Sequence, residues 1–302
     1  MTASVLNRYL DPEVLGRLAQ RQISPRGLVL GNLAGGHKSP LSGFAVEFAG
    51  HREYVPGDDP KHIDWRVYFR RDKYFIKQYE METNFVCHLI LDTSASMRYG
   101  DADEQKLLYA SRMATAMGHA IVRQSDKVSL ATFDDRVRAV LQPSNTMAQI
   151  VRMTDHLGQI EALEKSRLPD CLNELVGRMQ RREIVMVFSD FFTDLDALEP
   201  VLQRMRYHRH EVVLFQVMHH DELLFPLDGM TRFVGLEVPD QYLVQPEELR
   251  AGYLAALERY NGRFAEICQR NRAERVLVDT SRDMGSVFID YLNQRSLLNR
   301  GR

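Results

Sequence analysis

Apolar runs alternate with amphipathic segments along the chain from residue 85 onward. Residues 85–91 are almost continuously apolar and end at Asp92, the pattern of a strand buried on both faces. In residues 104–124 apolar side chains recur at three- and four-residue spacing, as on one face of a helix. Similar patterns predict strands at 127–133, 136–141, 183–189, 211–218 and 275–279, and helices at 147–157, 169–181, 195–208, 252–270 and 284–298. This alternation predicts an α/β fold with a doubly wound, mostly parallel sheet of Rossmann type.

The segment before residue 81 has a different pattern. Residues 12–21 have the spacing of a short helix, residues 31–43 are rich in glycine, and residues 47–79 show short alternations typical of strands and turns. We therefore predict two domains: an N-terminal helix and β-rich segment over 1–80, and the sheet domain over 81–302. Two β-like pieces interrupt the sheet domain at 221–246, which predicts a β-hairpin insertion at the edge of the sheet.

Composition narrows the function classes. The 302 residues carry 39 Lys and Arg against 41 Asp and Glu, so the formal charge of −2 gives no overall attraction to nucleic acid. The three cysteines lie far apart, which argues against a disulfide framework and favours a reducing cytoplasm. Because no stretch reaches the roughly 18 apolar residues of a membrane span, we expect no transmembrane segment, while peripheral membrane association stays open.

Candidate chemistry lies where two predicted strands end. Asp92, Ser94 and Ser96 form a D-x-S-x-S pattern directly after the first buried strand, and Asp190 ends a later one. In an open parallel sheet, ligands bind beyond the carboxyl ends of the strands, so these side chains could share one site if the two strands are neighbours. Hydroxyl and carboxylate oxygens without His or Cys suit a hard cation such as Mg²⁺. A structural alternative is that the serines cap a helix and Asp92 binds loop amides.

These residues resemble a known arrangement. The sequence LDTSASM at 91–97, followed later by VFSD at 187–190, resembles the metal-ion-dependent adhesion site of von Willebrand factor type A domains. The upstream run REYVPGDDPKHIDW at 52–65 and the downstream run LVDTSRDMGSVFIDYLNQR at 277–295 are similar to a prokaryotic family called domain of unknown function fifty-eight. The resemblance covers residues from about 35 to 295 and implies a von Willebrand factor A-like fold for the sheet domain.

The resemblance also implies a set of metal ligands. Asp92, Ser94 and Ser96 correspond to the first loop of the adhesion site, and Asp190 corresponds to the third. The second loop normally supplies a threonine from a Gly-Thr pair, whereas this chain has Lys165 and Ser166 at that offset. Ser166 keeps a hydroxyl, but a lysine beside the cation would repel it. The implied ion is Mg²⁺, with Mn²⁺ or Ca²⁺ as alternatives.

Other motifs give weaker signals. The segment 52–77 interleaves basic and aromatic residues, but its acidic residues favour salt bridges that tie it to the sheet domain over a nucleic-acid surface. The stretch 31–39 nearly matches a phosphate-binding loop, but His37 separates Gly36 from Lys38 and no apolar helix follows. The chain has neither a G-x-S-x-G elbow nor a zinc-type histidine spacing.

The leading prediction is a non-enzymatic adaptor that binds a partner's carboxylate through a bound cation. The resemblance implies that the partner is a MoxR-type AAA+ ATPase, with the pair acting in assembly or activation of other protein complexes. Two alternatives stay open. One is a Mg²⁺-dependent phosphoester hydrolase that uses Asp92 and Asp190; the other is a structural domain whose metal site is vestigial.

Overall fold

The computed structural model describes residues 2–19, 21, 23, 46–81, 85–162, 164–180, 182–237 and 240–300. The chain divides into two compact units, one formed by residues 1–24 and 85–302 and the other by residues 25–84. The helices near the N-terminus therefore belong to the sheet unit, whereas the sequence grouped them with the β-rich segment at 1–80. The near match to a phosphate-binding loop at 31–39 lies outside the described residues.

The secondary-structure elements follow one another in the order expected of an α/β chain. The helices are α1 (Thr2–Tyr9), α2 (Pro12–Leu18), α3 (Trp65–Arg71), α4 (Lys106–Arg123), α5 (Met147–Leu157), α6 (Leu168–Val176), α7 (Leu195–Tyr207), α8 (His220–Leu224), α9 (Pro246–Arg270) and α10 (Met284–Arg300). The strands are β1 (Val46–Glu53), β2 (Phe75–Met81), β3 (Val86–Asp92), β4 (Lys127–Phe133), β5 (Val137–Ser144), β6 (Ile184–Ser189), β7 (Glu211–Met218), β8 (Thr231–Val234), β9 (Gln241–Val244) and β10 (Glu274–Asp279).

Six strands form the central sheet in the order β10-β7-β6-β3-β4-β5. All neighbours are parallel except β5, which runs antiparallel to β4 at the edge. The predicted mixed α/β fold with a mostly parallel sheet is confirmed, and it is compatible with a Rossmann-like architecture. The chain leaves β3 toward β4 on one side and later returns to β6 on the other. The crossovers thus diverge between β3 and β6, which makes this pair of strands the switch point of the sheet.

Helices cover both faces of the sheet. On one face α6, α7 and α9 bury apolar side chains against β4, β6 and β7, with Phe264 of α9 at 5.1 Å from the ring of Phe191. On the other face α4 lies against β3 and α5. Gly118 of α4 permits the close approach, because a Cβ there would lie 3.1 Å from Met153 and 3.3 Å from Leu89. The apolar runs of the strands are buried because both faces are covered.

Two element boundaries differ from the sequence prediction for local reasons. Helix α9 begins at Pro246 instead of residue 252, since Pro is favourable in the first turn and Glu247 and Glu248 complement the helix dipole. Helix α6 ends at Val176 and not at 181, where Gly177 follows as the C-cap. The predicted hairpin is present as β8 and β9, but it forms a separate two-stranded sheet and does not extend the edge of the central one.

The smaller unit is built from an antiparallel pair, β1 and β2, with helix α3 between them in the chain. Its turn at Val55 to Asp58 needs the positive φ of Gly57, +110°, and is closed by the Asp58 amide donating to the Val55 carbonyl. The Arg52 guanidinium binds the Asp58 carboxylate at 2.8 and 2.9 Å, an ion pair within this unit. Trp65, the last residue of the run at 52–65, is 53% exposed.

Candidate metal centre

The predicted site residues lie at the switch point between β3 and β6. In the register of these parallel strands, Leu91 pairs with Phe188, so Asp92 and Ser189 end adjacent strands and Asp190 follows directly. Asp92 and Asp190 are both buried. The sequence could place each aspartate at a strand tip, and the strand order brings the two tips together.

Asp92 is fully buried and accepts hydrogen bonds from two loops and from the end of β6. Its Oδ1 accepts from the Ser94 amide at 2.9 Å, and its Oδ2 accepts from the Ser166 hydroxyl at 3.0 Å and the Ser189 hydroxyl at 2.7 Å. Burial, with a smaller contribution from the negative charge of Asp190, raises the pKa of Asp92 to about 6. The carboxylate is thus held in a strongly desolvated position in which a positive charge would stabilise its ionised form.

Ser94 and Ser96 lie in the turn that follows Asp92. Their Oγ atoms are 3.2 Å apart, and the Ser94 side chain makes no capping bond to the 3-10 turn at Ala95–Arg98. Ser94 therefore does not act as the helix cap that the structural alternative predicted. Asp92 does accept a hydrogen bond from one loop amide, as the same alternative predicted. The Ser94 hydroxyl lies within hydrogen-bonding reach of both the Asp92 carboxyl and the Ser96 hydroxyl.

Ser166 reaches the centre from the second loop, as its hydroxyl bond to Asp92 shows. The neighbouring Lys165, which the sequence suggested would repel a cation, has an exposed side chain. Ser189 was not among the predicted site residues, yet its hydroxyl makes the shorter bond to the same carboxylate oxygen. Its position one residue before Asp190, at the end of a strand neighbouring β3, is the signal that could have identified it.

The loop after β6 positions Asp190 through a strained turn. Phe191 has a positive φ of 58°, which is uncommon for a bulky residue. The turn is fixed because the Phe191 amide donates to Ser189 Oγ at 3.0 Å and the Phe191 carbonyl accepts from the Tyr260 hydroxyl at 2.5 Å. Asp190 Oδ1 then accepts from the Phe192 amide at 3.2 Å. The packing of α9 against this loop therefore sets the direction of the Asp190 carboxylate.

A lysine that sequence reasoning missed also lies at the centre. The Lys106 ammonium, at the start of α4, is 3.0 Å from Asp190 Oδ2 and 2.8 Å from Glu222 Oε1. Its side chain is only 1% exposed. The signal was present in the helical pattern, because Lys106 falls on the same stripe as Ala110 and Met113, the buried face of the helix.

The donor set suits a hard cation. In the chain segments that the structure describes, His, Cys, Asp and Glu form no group of three or more that could hold a metal. The candidate donors are instead the Asp92 and Asp190 carboxylates with the hydroxyls of Ser94, Ser96 and Ser166, all oxygen ligands of the kind that Mg²⁺, Mn²⁺ or Ca²⁺ prefers. The Lys106 ammonium contacts two carboxylates, those of Asp190 and Glu222, and Asp92 adds a third carboxyl group to the centre.

Comparison with known proteins identifies the family. The model of the family described as "Protein of unknown function DUF58" matches residues 50–262, more than half of the chain. The chain belongs to this family. The uncharacterized proteins Rv1480 of Mycobacterium tuberculosis and Mb1516 of Mycobacterium bovis are each 24% identical to it over 291 residues, covering 94% of this chain and 90% of theirs. Because these relatives are uncharacterized, their similarity to the DUF58 chain assigns no activity to it.

Two solved structures resemble this DUF58 chain. One is an aerotolerance-related membrane protein from Bacteroides fragilis, with a TM-score of 0.47 and 15% identity. The other is the conserved hypothetical protein BatB from Bacteroides thetaiotaomicron, with a TM-score of 0.44 and 13% identity. Each match covers 70% of this chain and 99% of the other. In the described residues of the DUF58 chain itself, no helix is both long and apolar enough to cross a membrane.

We expect Ser189→Ala to destabilise this DUF58 protein more than Ser166→Ala. Ser189→Ala removes a donor to a buried carboxylate and also leaves the Phe191 amide without its acceptor, for a loss of about 2–3 kcal/mol. Ser166→Ala removes one donor at a half-buried position, for about 1 kcal/mol. Urea unfolding at pH 7 with EDTA measures both losses. Equal losses in the two variants would contradict the expectation.

Proposed function

We propose that the sheet unit is a von Willebrand factor A-like interaction module that binds a partner through a divalent cation. The observation that carries this proposal is the meeting of three loops at the switch point: Asp92 on the first, Ser166 on the second and Asp190 on the third. Separate loops that bring oxygen donors to one point are what a cation site at the end of a parallel sheet requires.

In this proposal Asp92, Ser94, Ser96, Ser166 and Asp190 would hold the cation. When bound, the ion would supply an open coordination position for a carboxylate of the partner. The chain's own residues fix the donors: the loop amide of Ser94 orients Asp92, and the strained turn at Phe191 orients Asp190. The proposed ion is Mg²⁺, with Mn²⁺ or Ca²⁺ as alternatives, because the donors are oxygen atoms alone.

The proposed partner is a MoxR-type AAA+ ATPase, with the present chain as a non-enzymatic, cytoplasmic adaptor in the assembly or activation of protein complexes. This step rests on the resemblance of residues 52–65 and 91–97 to the family pattern. The ATPase would supply the nucleotide chemistry. The adaptor's contribution would be recognition of a carboxylate of the partner.

A second candidate is a structural domain whose metal site is vestigial. The ion pair between Lys106 and Asp190 favours it, because an ammonium already neutralises one of the proposed ligands. In that case the interaction surface would work without a divalent cation. The two candidates differ in one measurable property, the dependence of partner binding on the cation.

Affinity capture from a native lysate tests the proposal. We expect an AAA+ ATPase to be recovered with the tagged chain in Mg²⁺, to be lost in EDTA, and to return when Mg²⁺ is added back. Asp92→Ala should abolish recovery because it removes the buried carboxylate. Asp196→Ala, which changes an exposed carboxylate at the start of α7, is the matched control. Recovery that survives both EDTA and Asp92→Ala would favour the vestigial site.

A further inference from the structure

The Lys106 ammonium lies in a closed cage at the end of the sheet. Its side chain is almost fully buried, and its Nζ contacts Asp190 Oδ2 at 3.0 Å and Glu222 Oε1 at 2.8 Å. The rings of Tyr99 and Phe192 lie with their centroids 6.0 and 5.9 Å from the same nitrogen. Burying a lysine is costly unless its charge is compensated, and here two carboxylates and two aromatic rings compensate it.

Both carboxylates of the cage are themselves held in place. Glu222 is fixed by the capping box of α8, in which its Oε2 accepts from the His219 amide at 2.9 Å. Asp190 is fixed by the Phe192 amide. The ammonium thus bridges the loop after β6 and the start of α8. Of the two carboxylates that it contacts, Asp190 is a proposed ligand of the cation and Glu222 is not.

A divalent cation and the ammonium would compete for the same carboxylate. Asp190 has one oxygen bonded to a loop amide and the other to Lys106, so a cation can use Asp190 only by sharing or displacing the ammonium. Like charges at such short range in a buried site repel strongly. Glu222 gives the displaced ammonium a second anionic partner, which allows Lys106 to release Asp190 without leaving its cage.

We propose that Lys106 is a built-in competitor of the cation: it occupies Asp190 when no divalent ion is bound and moves onto Glu222 when one binds. This inference rests on the proposed function, because it concerns the same site. According to this inference, Lys106 lowers the affinity of the site for the cation and Glu222 raises it. Removing Lys106 frees Asp190. Removing the charge of Glu222 leaves Asp190, among the described residues, as the only carboxylate in contact with the ammonium.

Calorimetric titration of the full chain with Mn²⁺ tests the inference without a partner. We expect Lys106→Met to bind Mn²⁺ about tenfold or more tightly than the unchanged protein, because the competing charge is gone. Glu222→Gln should bind it about threefold or more weakly, because the ammonium then stays on Asp190. Lys106→Arg keeps the charge and should not gain affinity. Lys127→Met, which removes an exposed lysine at the opposite end of the sheet, should leave the affinity unchanged.

The variants separate failure of the inference from failure of the proposed function. If the unchanged protein binds Mn²⁺ and Lys106→Met binds it no more tightly, the inference is overturned and the proposed function stands. If only Lys106→Met binds the ion, the inference that Lys106 competes with the cation is supported, and the proposed adhesion-type function is overturned in favour of a vestigial site. If neither binds, both are overturned. Should Lys106→Met fail to fold by circular dichroism, the neutral pair Lys106→Gln with Glu222→Gln takes its place with the same expected gain.

Discussion

Replacing Asp92 by Asn is expected to abolish divalent-cation binding and at the same time to stabilise the cation-free protein. The first effect follows from the loss of a proposed ligand that accepts hydrogen bonds from Ser94, Ser166 and Ser189. A neutral amide is a poor ligand for a hard cation in a buried site, so we expect the affinity for Mn²⁺ or Mg²⁺ to fall by about a hundredfold or more. Calorimetric titration of the two proteins at pH 7.5 measures it.

The gain in stability follows from the raised pKa of the same carboxyl. Burial, and then the charge of Asp190, raises the pKa of Asp92 from its ordinary 3.8 to about 6. Above pH 6 the Asp92 carboxyl is ionised in both states, and the ionised form is less stable in the folded protein than in the unfolded chain. Ionised Asp92 therefore lowers the free energy of unfolding. As the pH falls through 6 toward 4, the folded protein binds the proton first and this loss of stability disappears. Removing the charge by Asp92→Asn should therefore stabilise the protein by about 2–3 kcal/mol more at pH 8 than at pH 4.

Asp134→Asn is the matched control, with the opposite sign. Asp134 is also buried, and burial by itself would raise the pKa of its carboxyl. The hydrogen bonds and the charge of Arg138 outweigh burial and lower this pKa. Its ionised form stabilises the fold above its ordinary pKa, so Asp134→Asn should destabilise the protein at pH 8. Urea unfolding in EDTA at pH 5 to 8 compares the two variants. A loss of stability at pH 8 for Asp92→Asn would contradict the account of the centre.

We expect Arg295→Met to lower the stability of the protein by about 3–5 kcal/mol. The Arg295 side chain is 2% exposed, and its guanidinium lies 2.6 Å from Glu211 Oε1 and 3.1 Å from the Tyr291 hydroxyl. It joins α10 to the start of β7. Methionine matches much of the volume but leaves the partly buried Glu211 carboxylate without this positive charge, and the loss of one partner of a buried ion pair is costly.

Arg282→Met on the same part of the chain is the control. Arg282 pairs with Asp290 at 2.7 Å, but both side chains are at least half exposed, so removal of the pair should change the stability by less than about 1 kcal/mol. Guanidinium unfolding of the two variants at pH 7 gives the difference directly. If the two losses are equal, burial of the Arg295 ion pair does not contribute as the structure indicates.

Local patterns in the sequence determined most of the elements. The apolar run at 85–91 predicted β3 and placed Asp92 at its tip, and the helical stripe at 104–124 predicted α4 to within two residues. These predictions hold because side-chain direction repeats every two residues in a strand and every 3.6 residues in a helix, whatever the rest of the chain does. The D-x-S-x-S pattern and Asp190 were identified for the same reason, as polar residues directly at the ends of apolar runs.

The tertiary structure decided how these elements meet. Only the strand order places β6 beside β3, which brings Ser189 to Asp92 across 97 positions of the chain. The separate sheet of β8 and β9 and the grouping of residues 1–24 with the central sheet were likewise outside the reach of periodicity. Lys106 is the clearest example. The helical pattern placed it on the buried face of α4, but no local pattern could identify its partner Glu222, which lies 116 residues away in the chain. A sequence specifies local direction through the geometry of the backbone, whereas the pairing of distant charges depends on which strands become neighbours when the core is buried.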